Sequence, residues 1–392
     1  MSAVYYVSEG KLFAAGDGAE RPLRSEAIEK YVQNLKDIEQ RQEWKTSGAG
    51  ARFMGSGQFS LTGSSRSPDD AFVQVESLTA VGPDKLIYAA SLEGSCGLYT
   101  KNPTKDDAPE GFLIRKAQTR IFHVDYEPGE KVVAASVSDG PRERHIALIK
   151  EEHSDFSLIT EGDTVEITPS FSRHDPKLIY YSSVGYYVDP RRGRVHYGSY
   201  CVNRLNLHSG ELTEVIADAK YDYIRPKETA DGRLFCVRRL KVSPNEGSPL
   251  LDILLIPFRF LKAIFGWMNF FSQRYTGDSL MKSRSSGVNP AQYQNKSEEE
   301  LFIEGNLINV ERTLKENTQQ GEKYPGIAPK SWELGIVRDD GSFEVVKKGV
   351  LDYAFDGEDL LYSNGKYLIR RRPDGGEEAL CEAKIATAIT VV

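Results

Sequence analysis

One phrase recurs along this chain at near-constant spacing, and it constrains the fold more than any other feature. It reads GPDKLIYAAS at 82–91, EPGEKVVAAS at 127–136, HDPKLIYYSS at 174–183, ADGRLFCVRR at 230–239 and FDGEDLLYSN at 355–364. A weaker copy, VSEGKLFAAG, lies at 7–16. Each copy is a Gly/Asp/Pro turn followed by apolar and β-branched residues, and a turn-plus-strand unit repeated in this way marks a repeat architecture. The first apolar residues of the copies are Leu12, Leu86, Val132, Leu178, Leu234 and Leu360, at intervals of 74, 46, 46, 56 and 126 residues. The two equal intervals suit a four-stranded propeller blade of roughly 40–45 residues plus loop. The longer ones leave room for a helix and for a long insertion.

The arithmetic also predicts how the ring shuts. The residues after Leu360 and those up to Leu12 together supply one more blade length. The N-terminal copy has almost nothing before its turn, whereas the C-terminus, AKIATAITVV, alternates Ile385, Thr387, Ile389 and Val391 with smaller residues. The tail is therefore expected to provide the inner strand of the first blade, with AVYYV, KLFAAG and ERPLR providing the rest. Closure removes sheet edges that would otherwise invite aggregation. The expected fold is all-β: a six-bladed β-propeller over residues 1–392, closed by pairing of the N- and C-terminal strands. It carries a helix-and-loop insertion at 25–70 and a second insertion at 241–330.

The clearest copy, Pro169-Ser170-Phe171-Ser172 through Asp175-Pro176-Lys177-Leu178-Ile179-Tyr180-Tyr181-Ser182, resembles the blade opening of the TolB-like six-bladed propellers, relatives of the WD-repeat propellers. The resemblance covers most of 1–25, 71–240 and 331–392. It implies the fold more than an activity, because that family includes scaffolds, periplasmic adaptors and the gating propellers of some peptidases.

Net charge is −7, which argues against nucleic acid as a partner. The basic runs Arg191, Arg192, Arg194 and Arg370–Arg372 abut turn signals and read as solvated hairpin tips. The four cysteines, Cys96, Cys201, Cys236 and Cys381, lack metal-ligand spacing, so neither a zinc site nor a disulfide framework is expected. The N-terminus has no basic region followed by an apolar core, so a cytoplasmic location is expected.

Residues 25–45 read as a helix. Ser25 is the candidate N-cap, Glu26 and Glu29 suit the first turn, and Ile28, Tyr31, Val32, Leu35 and Ile38 share a face. The Gly/Ser-rich stretch after it has no phosphate-loop order, since Lys45-Thr46 precedes the glycines.

The least ordinary stretch is 250–273. Between Leu250 and Phe271 only Asp252, Arg259, Lys262 and Asn269 are strongly polar. At about 100° per residue these fall with Gly266 and Gln273 in one narrow stripe, so an apolar amphipathic helix is expected. Arg or Lys near a span's centre costs roughly 2.5–3.5 kcal/mol, which counts against crossing a bilayer. The expected role is attachment. Leu254, Phe258, Leu261, Phe265, Trp267, Met268 and Phe271 would enter a membrane surface or a groove on a partner, and Lys262, Lys282 and Arg284 would meet anionic headgroups. Folding back onto the propeller is the third reading.

Catalytic motifs are scarce. The six histidines show no HExxH or HxH spacing, and there is no GxSxG elbow. No metal or cofactor is expected. The long hairpin SSVGYYVDPRRGRVHYGSYCVNRLNL at 182–207 holds Tyr186, Tyr187, Arg191, Arg192, His196, Tyr197 and Tyr200, either as an interface for a protein partner or as cross-strand aromatic packing. The sequence thus points to a non-enzymatic scaffold or adaptor, peripheral at the inner face of a membrane. The alternatives are a channel-sited hydrolase or lyase acting on a small molecule, and a soluble complex subunit whose insertion docks in a partner groove.

Overall fold

The computed structural model describes residues 2–46, 73–241 and 300–392, apart from positions 17, 93, 106, 141, 154, 189–194, 304 and 305. Residues 1–34, 72–241 and 299–392 form one compact unit. Residues 35–71 and 242–298 form a second, of which only the later turns of one helix are described.

Six antiparallel sheets form the blades of the first unit, each a meander from an inner to an outer strand. Blade 1 runs β27 (Thr387–Val391), β1 (Val4–Ser8), β2 (Lys11–Gly16) and β3 (Ala19–Leu23). Blade 2 runs β4 (Gln74–Gly82), β5 (Lys85–Leu92), β6 (Ser95–Lys101) and β7 (Gly111–Ala117). Blade 3 is β8 (Arg120–Glu127), β9 (Val132–Ser138), β10 (His145–Lys150) and β11 (Ser157–Leu158). In blade 4, β12 (Thr164–Phe171) is followed by β13 (Leu178–Val188), β15 (Cys201–Asn206) and β16 (Leu212–Ile216), and β14 (Val195–Tyr197) pairs with the far end of β13. Blade 5 has β17 (Tyr221–Glu228), β18 (Leu234–Leu240), β21 (Glu333–Val337) and β22 (Phe343–Lys348). Blade 6 has β23 (Asp352–Asp356), β24 (Asp359–Ser363), β25 (Tyr367–Arg371) and β26 (Glu377–Glu382). The chain is a six-bladed β-propeller.

The repeated phrase is explained by burial on two faces. Each strand after the turn is sandwiched between neighbouring blades, so successive side chains serve two different cores. On β5, Leu86, Tyr88 and Ala90 pack into one apolar cluster while Ile87 and Ala89 pack into the next. The strand β9 divides Val133, Ala135 and Val137 from Val132 and Ala134 in the same way. On β18, Phe235 and Val237 face one side, Leu234 and Cys236 the other. This is why the copies read as near-continuous apolar runs rather than strict alternation.

Blade 1 is built from the expected strands, the C-terminal tail followed by AVYYV, KLFAAG and ERPLR, but its copy of the phrase is not equivalent to the others. The copy at 7–16 is the β1–β2 hairpin, between second and third strands, whereas the other copies join first to second. Its turn residues Glu9 and Gly10 both have positive φ (46° and 72°), as tight two-residue hairpins require, so it looks like the rest. Antiparallel pairing joins β27 to β1 through Val4–Val391, Tyr5–Thr390 and Val7–Thr387, and Ala3 and Val392 exchange two backbone hydrogen bonds beyond them.

Helix α1 (Glu26–Thr46) starts at Ser25, whose Oγ accepts the Ile28 N–H at 3.3 Å. The start is pinned to blade 2 by a buried carboxylate. Glu110 accepts from the Ala27 N–H and the Tyr88 hydroxyl and faces Lys101 at 3.5 Å, both ionic side chains being almost wholly buried. Ala27 and Ile28 pack on the adjoining apolar cluster, while Ile38 is 49% exposed.

The 241–330 insertion lies between β18 and β21 of blade 5. Its described part is a hairpin, β19 (Glu300–Ile303) with β20 (Asn306–Asn309), followed by helix α2 (Val310–Gln319). The sequence LFIEGNLINVERTLKEN at 301–317 alternates apolar and polar residues and reads as strand, but the strand stops at Asn309, whose Oδ1 caps the Arg312 N–H at 2.8 Å and turns the chain into a helix. Asn317, buried on α2, donates to the Gly326 and Ala328 carbonyls and ties the helix to the loop that re-enters the blade. The expected apolar helix at 250–273, with Leu254, Phe258, Leu261, Lys262, Phe265, Trp267, Met268 and Phe271, lies outside the described residues, as do Lys282 and Arg284. Among the described residues, no helix is long and apolar enough to cross a membrane.

Candidate functional site: the central channel

The six inner strands, β4, β8, β12, β17, β23 and β27, surround a cavity of about 760 Å³. Five of them carry a β-bulge, at Glu76, Phe122, Thr168-Pro169, Arg225-Pro226 and Ala388-Ile389. A bulge inserts one residue against the partner strand and re-aims the side chains around it. The sequence solution is the same in blades 4 and 5: Ile167-Thr168-Pro169 and Ile224-Arg225-Pro226. Proline lacks the N–H that a bulge leaves unpaired. Thr168 and Arg225 adopt left-handed backbone conformations (φ 51° and 59°), costing roughly 1–2 kcal/mol each for residues with a Cβ.

Hydrogen bonds between inner strands offset that cost. Thr390 Oγ1 accepts the Ala80 N–H at 3.2 Å, Ser77 Oγ the Val124 N–H at 3.3 Å, and Asp125 Oδ2 the Phe171 N–H at 2.8 Å. Thr168 Oγ1 accepts the Arg225 N–H at 3.2 Å. Tyr353, fully buried, donates its hydroxyl to the Arg225 carbonyl at 2.7 Å, and blade 6 is joined to blade 1 by Ser2, just ahead of β1, whose Oγ donates to Asp356 at 2.7 Å. Every pair of neighbouring blades is joined in this series.

The channel charges are mostly paired across blades. Arg173 lies 2.7 Å from Asp125 and donates also to the Tyr126 carbonyl. Arg225 lies 2.9 Å from Asp352, both side chains being buried. Glu228 accepts from Ser172 and from the Tyr180 hydroxyl. Lys227 donates to the Tyr353 carbonyl. Burial, opposed by the Asp352 carboxylate and reinforced by Arg225, pulls the Lys227 ammonium below its ordinary value. Burial and the nearby Arg225 and Arg144 cations hold His123 well below the ordinary imidazole range.

The His123 shift has a defined sign. Below about pH 6.5 the unfolded chain binds a proton that the folded chain refuses, so this group contributes stability above that pH and loses it as pH falls toward the folded value. The slope is at most about 1.4 kcal/mol per pH unit. Urea midpoints between about pH 7 and pH 5 should fall less steeply for His123→Gln than for the parent; equal slopes would contradict a neutral buried imidazole.

None of these channel residues stood out in the sequence. The available signal was the shared Ile-x-Pro just ahead of two repeat turns, with Arg and Lys around the second proline. The tyrosine hairpin was singled out, and its described part is a cross-strand pairing. Tyr186 opposes Tyr197, with ring centroids 5.9 Å apart, and Tyr187 stacks on His196 at 5.3 Å. Tyr186 also donates to Glu143, while Tyr187 and Tyr197 are exposed. Arg191 and Arg192 lie outside the described residues. The other basic run is neutralised locally: Arg370 pairs with Asp356 and Asp359, Arg371 with Glu377 and Arg372 with Glu378. Among the described residues the cysteines are free thiols, and no cluster of three or more His, Cys, Asp or Glu is placed to hold a metal.

No protein-family model matches the sequence, and no curated protein matches it either. Solved structures with a similar shape include TolB from Acinetobacter baumannii, at 10% identity and a TM-score of 0.49, covering all of this chain and 66% of that one. A putative TolB from Agrobacterium tumefaciens is 13% identical with a TM-score of 0.40, over 79% of this chain and 80% of that one. The tricorn protease is 11% identical with a TM-score of 0.44, over 96% of this chain and 33% of its own. The chain therefore spans just under two thirds of the first of these structures.

Proposed function

We propose that this protein is a binding platform, a scaffold or adaptor in which the rigid ring presents a polar channel and an aromatic hairpin to partners. The observation that carries this reading is how the channel charges are used. Arg173 with Asp125, Arg225 with Asp352, and Glu228 with Ser172 and Tyr180 are spent on holding inner strands in place. Such an arrangement suits a fixed recognition surface, whose affinity gains from preorganisation. The exposed Tyr187 and Tyr197 supply large, stiff contact area of the kind enriched at interfaces.

The second half of the proposal is attachment. The apolar sequence at 250–273 would tether the ring at an anionic membrane surface, on its cytoplasmic side, with Lys262, Lys282 and Arg284 adding affinity for headgroups. Flotation with vesicles of mixed phosphatidylcholine and phosphatidylserine tests it. The full chain is expected to rise with the vesicles, and a chain lacking 249–275 to stay below. A full chain that stays below would leave the platform and remove the tether.

One observation favours a second reading, a small-molecule hydrolase or lyase site in the channel. His123 and Lys227 line the same cavity and are both shifted toward their neutral forms, a pattern that also occurs at catalytic sites.

A further inference from the structure

We propose that a small cavity between the outer parts of blades 5 and 6, at the end of the 241–330 insertion, is a seat for a phosphate group, held by Lys323, Lys347 and Lys348. The seat does not depend on the reading of the channel. Only its lipid-borne form rests on the proposed tether.

Three pieces of chain build the place. The loop after α2 brings Glu322 and Lys323, the end of β22 brings Lys347 and Lys348, and blade 6 brings Asn364 and Glu377. The cavity they line is about 70 Å³. At that size an occupant touches all three pieces at once. Lys323 and Lys347 converge on Glu377, one donating to its carbonyl at 2.9 Å, the other to its carboxylate at 2.7 Å. Lys330 stands alongside, since a Cβ added at the lining residue Gly349 would lie 3.8 Å from its Nζ. The pieces are also fixed to one another. Asn364 donates to the Tyr324 carbonyl at 2.8 Å, its own carbonyl accepts the Ile327 and Ala328 N–H groups, and the Gly349 N–H donates to the Trp332 carbonyl at 2.7 Å. The lysines therefore stand on backbone that is already ordered, which lowers the cost of binding.

Cations outnumber carboxylates here. Lys347 and Arg371 share Glu377, Lys330 pairs with Glu322, and Lys348 pairs with Glu333, which Arg238 also uses. Lys323 forms no ion pair among the described residues, its charge lying 5.0 Å from the Tyr324 ring centre. Lys323, Lys330, Lys347, Lys348, Arg238 and Arg371 thus face three carboxylates, Glu322, Glu333 and Glu377. Burial pulls the Lys330 ammonium below its ordinary value, and the Lys347 and Lys348 cations add to this against Glu377, so the positive charges crowd one another. A surplus larger than one charge fits a dianion better than a single carboxylate. Each ammonium has three N–H groups, and Lys323 and Lys347 each spend one on Glu377, so donors remain for phosphate oxygens. The volume is a little over twice a water's share of about 30 Å³, room for the phosphate alone, with any group esterified to it left outside.

The phosphate has two sources, a soluble phosphate or a lipid headgroup, because the same insertion carries the sequence proposed to meet an anionic membrane. Two arms separate them. Inorganic phosphate is titrated into the full chain by calorimetry at low ionic strength, with chloride as the control. Saturable binding of phosphate and none of chloride is expected. Lys323→Met with Lys348→Met, both at exposed positions, should weaken it about tenfold or more, while Lys177→Met at an exposed turn should not. The second arm floats the full chain with phosphatidylcholine vesicles carrying either phosphatidic acid or phosphatidylserine at equal surface charge. Excess capture by phosphatidic acid that the double variant loses assigns the phosphate to a headgroup; equal capture, with phosphate bound in the first arm, assigns it to a soluble ligand. If phosphate does not bind up to tens of millimolar and phosphatidic acid gives no excess, the seat does not exist, whether or not the variant folds. Unchanged binding in a folded double variant overturns it too. A chain that ignores phosphatidylserine vesicles but binds phosphate loses the tether and keeps the seat, so the two failures are distinguishable.

Discussion

Removal of residues 387–392 is expected to leave a chain that no longer folds cooperatively. The deletion takes away β27, the inner strand of blade 1, and with it the pairing to β1. Ile389 is buried in the cluster it shares with Val4, Tyr6 and Leu361, and Thr390 supplies the acceptor that joins blade 1 to blade 2. A fully buried aliphatic side chain contributes roughly 1.5–3 kcal/mol, and each lost strand hydrogen bond about 1 kcal/mol. Summed over a strand, the loss is comparable to the whole stability of an ordinary domain, about 5–15 kcal/mol. It also bares one edge of β1 and opens the ring, so aggregation should accompany unfolding. Thermal melts followed by circular dichroism, with size-exclusion chromatography at low concentration, would check this. A monomeric truncated protein melting where the parent does would show that the two termini are not needed to close the ring.

Much of this ring was legible in the sequence, and the reason lies in particular positions. Leu86–Ala90 and Val132–Ala135 are buried on both faces, so they had to be apolar throughout, and their turns had to hold Gly, Asp or Pro. That combination survives in a single sequence. The strand order of blade 1 was legible, but the equivalence of its copy with the others was not, because the Glu9-Gly10 turn has the same local chemistry as turns one strand further in. Helix α2 left a signal that alternation masked: Asn309 as cap, Glu311 in the first turn and an Arg312–Glu316 pair one turn apart.

The channel was illegible for a different reason. Strand alternation predicts which way a side chain points only while the register is unbroken. Bulges at Phe122 and at Arg225-Pro226 shift the register by one, so whether His123 and Lys227 face the channel or a core depends on geometry that composition does not encode. Arg225 with Asp352, and Asp125 with Arg173, are also far apart in sequence, and nothing local announces that they meet.

The Arg225–Asp352 pair yields the other large effect, and the two single substitutions should differ. Breaking a buried ion pair by removing one partner typically costs 3–5 kcal/mol, because the remaining charge stays desolvated and unmatched. Asp352→Ala should reach the upper part of that range. It leaves the Arg225 and Lys227 charges repelling each other on inner strands that Tyr353 and Thr168 hold in place. Arg225→Met should cost less, because the Lys227 charge already attracts the Asp352 carboxylate and offsets part of the loss. The double replacement, Arg225→Met with Asp352→Leu, removes both charges at similar volume and should recover most of the loss, as buried pairs replaced by apolar groups often do. Urea unfolding of the three variants gives the ordering and the coupling energy. Equal losses in the two singles would mean that Lys227 does not sense Asp352.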